Sequence, residues 1–145
     1  MKIKPTIYSL IKLADRRAAK KQYAPAIASH KKAILLEKKI YGPSYYFIAQ
    51  DLQKLAEIYL LANNFKQGEQ CYKEAVVIEQ RVLGKDHLDL ARLLVDFASL
   101  CSQERNHTEA IKQYQKAEKI YSGHLGRDNI EVKRIETRIK NLTQR

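Results

Sequence analysis

A chain of 145 residues is about the size of one domain. Its 27 basic and 16 acidic residues leave a net charge of +11, and 45% of the chain is apolar, too much for a disordered tail. Five glycines, three prolines and no tryptophan argue against a many-stranded β protein. No apolar run approaches the roughly 18 residues of a membrane span. The charged start Met1-Lys2-Ile3-Lys4-Pro5 leads into Lys12, Asp15, Arg16 and Arg17, not into the apolar core of a cleaved leader. Cys71 and Cys101 lack paired spacing, which points to reduced thiols and a cytoplasmic setting.

Shifting the sequence by 42 residues aligns it with itself without a gap. Gly42, Gly84 and Gly126 coincide, as do Leu10, Leu52 and Leu94, and Ala14, Ala56 and Ala98. Leu13, Leu55 and Phe97 form a further column, as do Leu36, Ile78 and Ile120. Small residues align at Ala26, Gly68 and Ala110 and at Ala33, Ala75 and Ala117; ring-bearing residues align at His30, Tyr72 and Tyr114.

Three helix pairs follow, over about residues 3–42, 43–84 and 85–126, with turns expected near 22–24, 42–44, 63–65, 84–86, 105–107 and 126–128. In the first pair, Pro25 fits the opening turn of the second helix, where a missing N–H costs nothing. In the second, Ile48, Leu52, Leu55, Ala56 and Tyr59 recur at helical spacing, Asn63-Asn64 interrupts, and Tyr72, Ala75, Ile78 and Val82 resume the pattern. Gly84 then stops the helix. Ser44, Asp86 and Asp128 share a column where an N-cap acceptor is expected, with Glu131 completing a capping-box-like pair beside Asp128. The tail 129–142 places Ile130, Val132, Ile135, Ile139 and Leu142 on a seventh helix, which is expected to cap the open face of the third pair. The expected fold is all-α: a single α-solenoid domain, 1–145, of seven helices.

The pattern Leu55-Ala56-x-x-Tyr59 followed by Gly68-x-x-x-Tyr72-x-x-Ala75 resembles the tetratricopeptide repeat. The usual repeat is about 34 residues. The 42-residue period and the loop Leu83-Gly84-Lys85-Asp86-His87 resemble the longer variant of kinesin light chains. A period of 42 by itself would also suit HEAT or armadillo repeats; the Ala-x-x-x-aromatic-x-x-Ala columns favour the tetratricopeptide reading. The chain departs from that variant at Leu88, where the family has Pro, and at the family's Asn pair, replaced here by Ile11-Lys12, Gln53-Lys54 and Val95-Asp96.

The resemblance implies that the first helix of each pair lines a concave groove. The groove residues would then be Tyr8, Ile11, Lys12 and Asp15; Gln50, Gln53, Lys54 and Glu57; Arg92, Val95, Asp96 and Ser99; and Arg134 and Arg138. Chaperone-binding relatives clamp a terminal carboxylate at positions that correspond to Ile11, Asp15, Lys54, Arg92 and Asp96; two acids and an apolar residue here argue against that ligand. The charge excess sits at the two ends, mostly on the first repeat, where residues 1–42 carry 11 basic and 2 acidic residues. Arg16, Arg17, Lys20, Lys21, Lys31 and Lys32 form its basic patch.

No phosphate-binding glycine loop, no metal-ligand spacing among the four histidines and no catalytic constellation is present in the sequence. The expectation is a non-catalytic protein-interaction module without cofactor, metal or small-molecule substrate. Its partner would be a peptide or helix, partly acidic, held in the groove. The alternative is association with nucleic acid or an anionic membrane through the basic first repeat.

The small columns generate a test. Ala56→Leu or Ala75→Leu forces bulk into a close helix contact and should destabilise by roughly 1–3 kcal/mol. Lys66→Ala, near an expected turn, should cost less than about 0.5 kcal/mol. Thermal melts of the three variants separate these outcomes.

Overall fold

The computed structural model describes residues 3–144. Met1, Lys2 and Arg145, the ends of the expected domain, lie outside the described residues. Among those described, seven α-helices and no strand occur: α1 (Ile3–Ala19), α2 (Tyr23–Tyr41), α3 (Tyr46–Leu61), α4 (Phe65–Leu83), α5 (Leu88–Gln103), α6 (His107–Leu125) and α7 (Ile130–Thr143). They fall into two compact units, Met1–Ile78 and Glu79–Arg145, with the boundary inside α4. In the first unit α1 packs on α2 and α2 on α3; in the second α5 packs on α6 and α6 on α7.

The small-residue columns lie at the helix contacts. Ala14, Ala56 and Ala98 are fully buried, as are Ala26 and Ala110, and Ala33, Ala75 and Ala117. Gly68 is buried in the same column as Ala26 and Ala110. Beside them His30, Tyr72 and Tyr114 are buried, each filling the space left by a methyl-sized neighbour. Cys71 and Cys101 are both buried like small hydrophobes.

Two turn types alternate along the chain, each repeated three times. The helices α1, α3 and α5 end in the same motif. Lys21, Asn63 and Arg105 adopt left-handed φ of 61°, 58° and 64°. In each case the next N–H reaches back across the turn: Gln22 to the Arg17 carbonyl, Asn64 to Tyr59 and Asn106 to Cys101, at 2.8 Å in all three. A second bond, from Lys21 to Ala18, Asn63 to Leu60 and Arg105 to Ser102, completes a Schellman cap. The following helices start at Tyr23, Phe65 and His107, so these turns lie at 20–22, 62–64 and 104–106, slightly earlier than the sequence spacing predicts. Asn64 and Asn106 also cap the next helix, their Oδ1 atoms accepting from the Gln67 and Glu109 N–H groups. Lys66 consequently lies in the first turn of α4, exposed.

The second turn type follows α2, α4 and α6 at Gly42, Gly84 and Gly126, with φ of 88°, 93° and 85°. At Gly42 and Gly126 ψ is 162° and 161°, a region open to glycine alone. Gly42 and Gly126 accept from the N–H groups of Tyr45 and Asn129, closing four-residue turns. That closure moves the N-caps one residue past the expected column. Tyr45, His87 and Asn129 precede the helices, not Ser44, Asp86 and Asp128. The His87 Nδ1 accepts from the Asp89 N–H at 3.1 Å, and the Asn129 Oδ1 from Glu131 at 2.9 Å. The expected Asp128–Glu131 capping box is therefore absent; Asn129 does the capping.

Val132, Ile135 and Leu142 of α7 are buried, and α7 packs on α6 as a cap requires. Ile130, expected on the buried face, is exposed at the first turn of α7.

The two turn types should respond oppositely to substitution. Lys21→Gly and Arg105→Gly relieve a left-handed backbone that costs about 1–2 kcal/mol for an L-residue, offset in part by the added freedom of the unfolded chain, and should stabilise by up to about 1 kcal/mol. Gly84→Ala has open space around the new Cβ, so its loss, about 1–3 kcal/mol, should be backbone strain alone. Denaturant midpoints measure both.

Candidate functional site

In the first unit, α1, the end of α2 and the start of α3 bound a pocket of about 410 Å³. It brings together Tyr8, Ile11, Gln50 and Lys54 from the sequence-based groove. Beside them stand residues that the sequence reasoning did not select: Glu37 and Tyr41 on α2, Tyr45 at the N-cap, and Phe47 and Asp51 on α3. Tyr41 and Tyr45 stack with ring centroids 4.4 Å apart, and Phe47 lies 5.4 Å from Tyr45. Glu37 and Asp51 are 5% and 6% exposed and share a hydrogen bond. Burial first, then the bond and charge of Asp51, push the Glu37 carboxyl up to about 8. Its Oε2 has no hydrogen-bond partner.

Asp51 carried only a weak signal in the sequence. Its column also holds Ser9, Leu93 and Ile135, so the acid departs from the apolar residues of the later repeats but not from the polar one of the first. Glu37 was harder to single out, because its column holds Glu79 and Tyr121, both polar-tipped and both buried.

The other expected groove residues of this unit lie around the pocket. Lys12 sits over the Tyr8 ring at 5.4 Å from its centroid. Asp15 approaches the His30 Nε2 to 3.9 Å. His30 is fully buried with neither ring nitrogen hydrogen-bonded, and burial lowers its pKa against the pull of Asp51 and Asp15, so the ring is neutral at pH 7. Gln53 is half-buried and Glu57 exposed, both outside the pocket wall.

The second unit carries a pocket of about 190 Å³ between α5, α6 and α7. It gathers five more expected residues: Arg92, Val95, Asp96, Arg134 and Arg138. Ser99 is half-buried and does not line it. Arg92 pairs with Asp89 at 3.5 Å and hydrogen-bonds Tyr121, and Arg134 pairs with Glu131 at 2.7 Å. Arg138 lies over the Tyr114 ring at 5.9 Å. Burial raises the Asp96 pKa, while Arg138 pulls it down.

These two pockets are the same pocket two repeats apart. Tyr8 corresponds to Arg92, Ile11 to Val95, Gln50 to Arg134 and Lys54 to Arg138. On the floor, Tyr121 and Ile135 stand where the first unit has Glu37 and Asp51. One architecture thus presents buried carboxyls and rings in one unit and three guanidinium groups in the other.

Of the basic patch, Arg16, Lys20, Lys21, Lys31 and Lys32 are exposed. Arg17 is half-buried instead. Its Nη1 donates to the Ser29 Oγ at 2.9 Å and to the Pro25 carbonyl at 3.3 Å, joining the end of α1 to α2. A third cavity, an apolar groove of about 560 Å³ on α2, α3 and α4, has Leu35 and Val77 on its rim and Cys71 in its lining. The sequence signal for it was the shared column of Leu35 and Val77, 67% and 51% exposed. Among the described residues, no three His, Cys, Asp or Glu side chains converge as a metal site requires, and no helix is long and apolar enough to cross a membrane.

Paired helices, small-residue contacts and two turn types, each occurring three times, define a helical-repeat protein. Residues 52–122, just under half of the chain, match the family model of the tetratricopeptide repeat. No curated protein sequence matches the chain significantly. Several solved structures resemble it. BtubC (BKLC) from P. vanneervenii gives a TM-score of 0.80 at 16% identity over 95% of this chain, which spans 55% of that one. A kinesin-light-chain candidate from Podosopora anserina with nearly identical TPR-like repeats gives 0.76 at 14% identity, with 95% and 65% covered. The first TPR of Spaghetti (RPAP3), bound to the HSP90 peptide SRMEEVD, gives 0.64 at 14% identity, with 97% and 92% covered. At these identities the likeness is one of fold. Residues 52–122 carry the tetratricopeptide-repeat pattern, and the chain shares the fold of tetratricopeptide-repeat structures.

The Glu37–Asp51 pair makes stability depend on pH in a defined direction. Folding holds Glu37 protonated up to about 8, whereas its ordinary value is 4.5, so its favourable contribution is complete below 4.5 and is lost as pH rises through 8. Glu37→Gln removes that loss. The variant should gain on the parent between pH 5 and 8.5 by more than about 1 kcal/mol, since one pKa unit is worth about 1.4 kcal/mol. Urea unfolding of both proteins across this range measures the gain.

Proposed function

We propose that this chain is a non-catalytic protein-interaction module that holds a peptide or helix of another protein. The observation that carries this reading is the repeated pocket, built at equivalent positions in two repeats by first-helix residues. A scaffold that varies only the wall chemistry of one pocket suits the reading of a side-chain sequence. Spaghetti in complex with an HSP90 peptide shows that this fold accommodates one. The residues at the clamp positions differ here, so the ligand is not a chaperone tail. In the second unit Arg92, Arg134 and Arg138 favour an acidic segment, with Val95 as its apolar contact. Each exposed ion pair contributes only about 0–1 kcal/mol, so apolar contact must supply much of the affinity.

The exposed cations Arg16, Lys20, Lys21, Lys31 and Lys32 of the basic patch support a second reading, attachment to nucleic acid or an anionic membrane. Phosphate binding would fall steeply with salt and tolerate changes of ligand sequence.

The test is capture of partners from the native host, followed by measurement with Arg92→Gln/Arg134→Gln. The double variant should bind the partner about tenfold more weakly, a loss of about 1.4 kcal/mol, with unchanged helical content by circular dichroism. Undiminished binding would remove the second-unit pocket from the interface. Binding lost instead on changing Arg16, Lys20, Lys31 and Lys32 together, with a steep salt dependence, would favour the second reading.

A further inference from the structure

We propose that the first-unit pocket receives an arginine side chain of the bound partner, its guanidinium held by Glu37 and Asp51 and stacked against the Tyr45 and Phe47 rings. The proposal rests on the peptide-binding reading and names the residue that this pocket selects.

Three observations converge on a cation with directional donors. Glu37 and Asp51 are both at least nine-tenths buried and both line the cavity, and the Glu37 Oε2 is an acceptor with no partner. A buried acceptor left unsatisfied is costly, and an incoming N–H donor removes that cost. The walls are aromatic, with Tyr45 between Tyr41 at 4.4 Å and Phe47 at 5.4 Å. Ring faces attract cations, and a planar guanidinium both stacks on them and donates to two carboxylates at once. Finally, the equivalent pocket of the second unit has Tyr121 and Ile135 in place of the carboxyls. The acid pair is therefore a property of this pocket and not a requirement of the fold.

The charges around the site decide how binding proceeds. Lys54 on α3 lines the pocket but is exposed, and Lys12 on α1 lies over Tyr8. Asp15 on α1 faces His30 on α2, whose buried ring is neutral. Tyr8, Tyr41 and Tyr45 contribute phenol rings to the wall, and Gln50 is a neutral amide. Before binding, Glu37 holds its proton and is hydrogen-bonded to Asp51. When the guanidinium enters, that proton leaves to solvent, and two carboxylates face one cation; the net charge of the site is unchanged. Binding is thus coupled to release of one proton, because Glu37 otherwise keeps it up to about pH 8.

The test uses the full chain and three neutral-backbone probes: the N-acetyl methylamides of arginine, lysine and citrulline. Binding is followed through the aromatic NMR resonances of Tyr45 and Phe47 at pH 6.5 and 8.5. The arginine probe should shift both rings saturably and bind at least about tenfold more tightly at pH 8.5, the sense that proton release requires. Citrulline, of the same shape without the charge, should leave the rings unmoved. Glu37→Gln should abolish the pH dependence and weaken the arginine probe about tenfold at pH 8.5. Phe47→Ala, at an exposed position where folding is not at stake, should weaken it severalfold while keeping the pH dependence. Equal binding of citrulline, equal binding at the two pH values, or unmoved rings would overturn the proposal. Lysine binding as tightly as arginine would overturn the choice of guanidinium. A partner still captured by the parent protein while the arginine probe fails would remove this pocket's role and leave the peptide-binding reading standing.

Discussion

Everything in this fold depends on how closely two helix backbones can approach. Alanine or glycine at the contact columns leaves no side chain between them, and the cost of adding one is steric. Close approach then makes room for a large ring one turn away, which is why Tyr72 and Tyr114 bury so completely. The first repeat uses His30 in that place, and a fully buried imidazole brings titratable chemistry into a position its counterparts fill with phenol rings. The acid chemistry of the first-unit pocket comes from Glu37 and Asp51, which line it.

Repeats free individual positions to diverge. The column of Arg17, Tyr59 and Cys101 shows it well. Tyr59 and Cys101 fill their site as buried side chains, whereas Arg17 is half-buried and ties its head to Ser29 and Pro25. The backbone is indifferent to this choice because the turn that follows is the same in all three repeats. The same freedom converts a carboxyl-lined floor at Glu37 and Asp51 into Tyr121 and Ile135 without altering the helices that bear them.

The fold was legible in the sequence because its determinants are local and periodic. A period of 42 residues, small columns at helical spacing and glycines at a fixed interval each survive in one dimension. The helix starts were misplaced by one residue because a four-residue turn closed by the Tyr45 N–H on the Gly42 carbonyl leaves no compositional trace. Of the pocket residues, Tyr8, Ile11, Gln50 and Lys54 were legible from helix position alone. Glu37 and Asp51 were not, since their meeting joins the end of α2 to α3, and no spacing rule links an acid on one helix to an acid on the next. Arg17 read as part of a charge cluster because its bond to Ser29 is likewise tertiary.

The buried Cys71 thiol has a bearing on how the molecule breathes. It lines the apolar groove on α2, α3 and α4, and burial pushes its pKa up to about 11. Alkylating reagents attack the thiolate, and almost none exists at neutral pH while the helices stay in place. Labelling therefore occurs in the rare molecules whose local structure has loosened, at a pace set by how often they do so. The cysteine is a built-in clock for local opening, and a ligand seated in that groove would slow it without touching the sulfur.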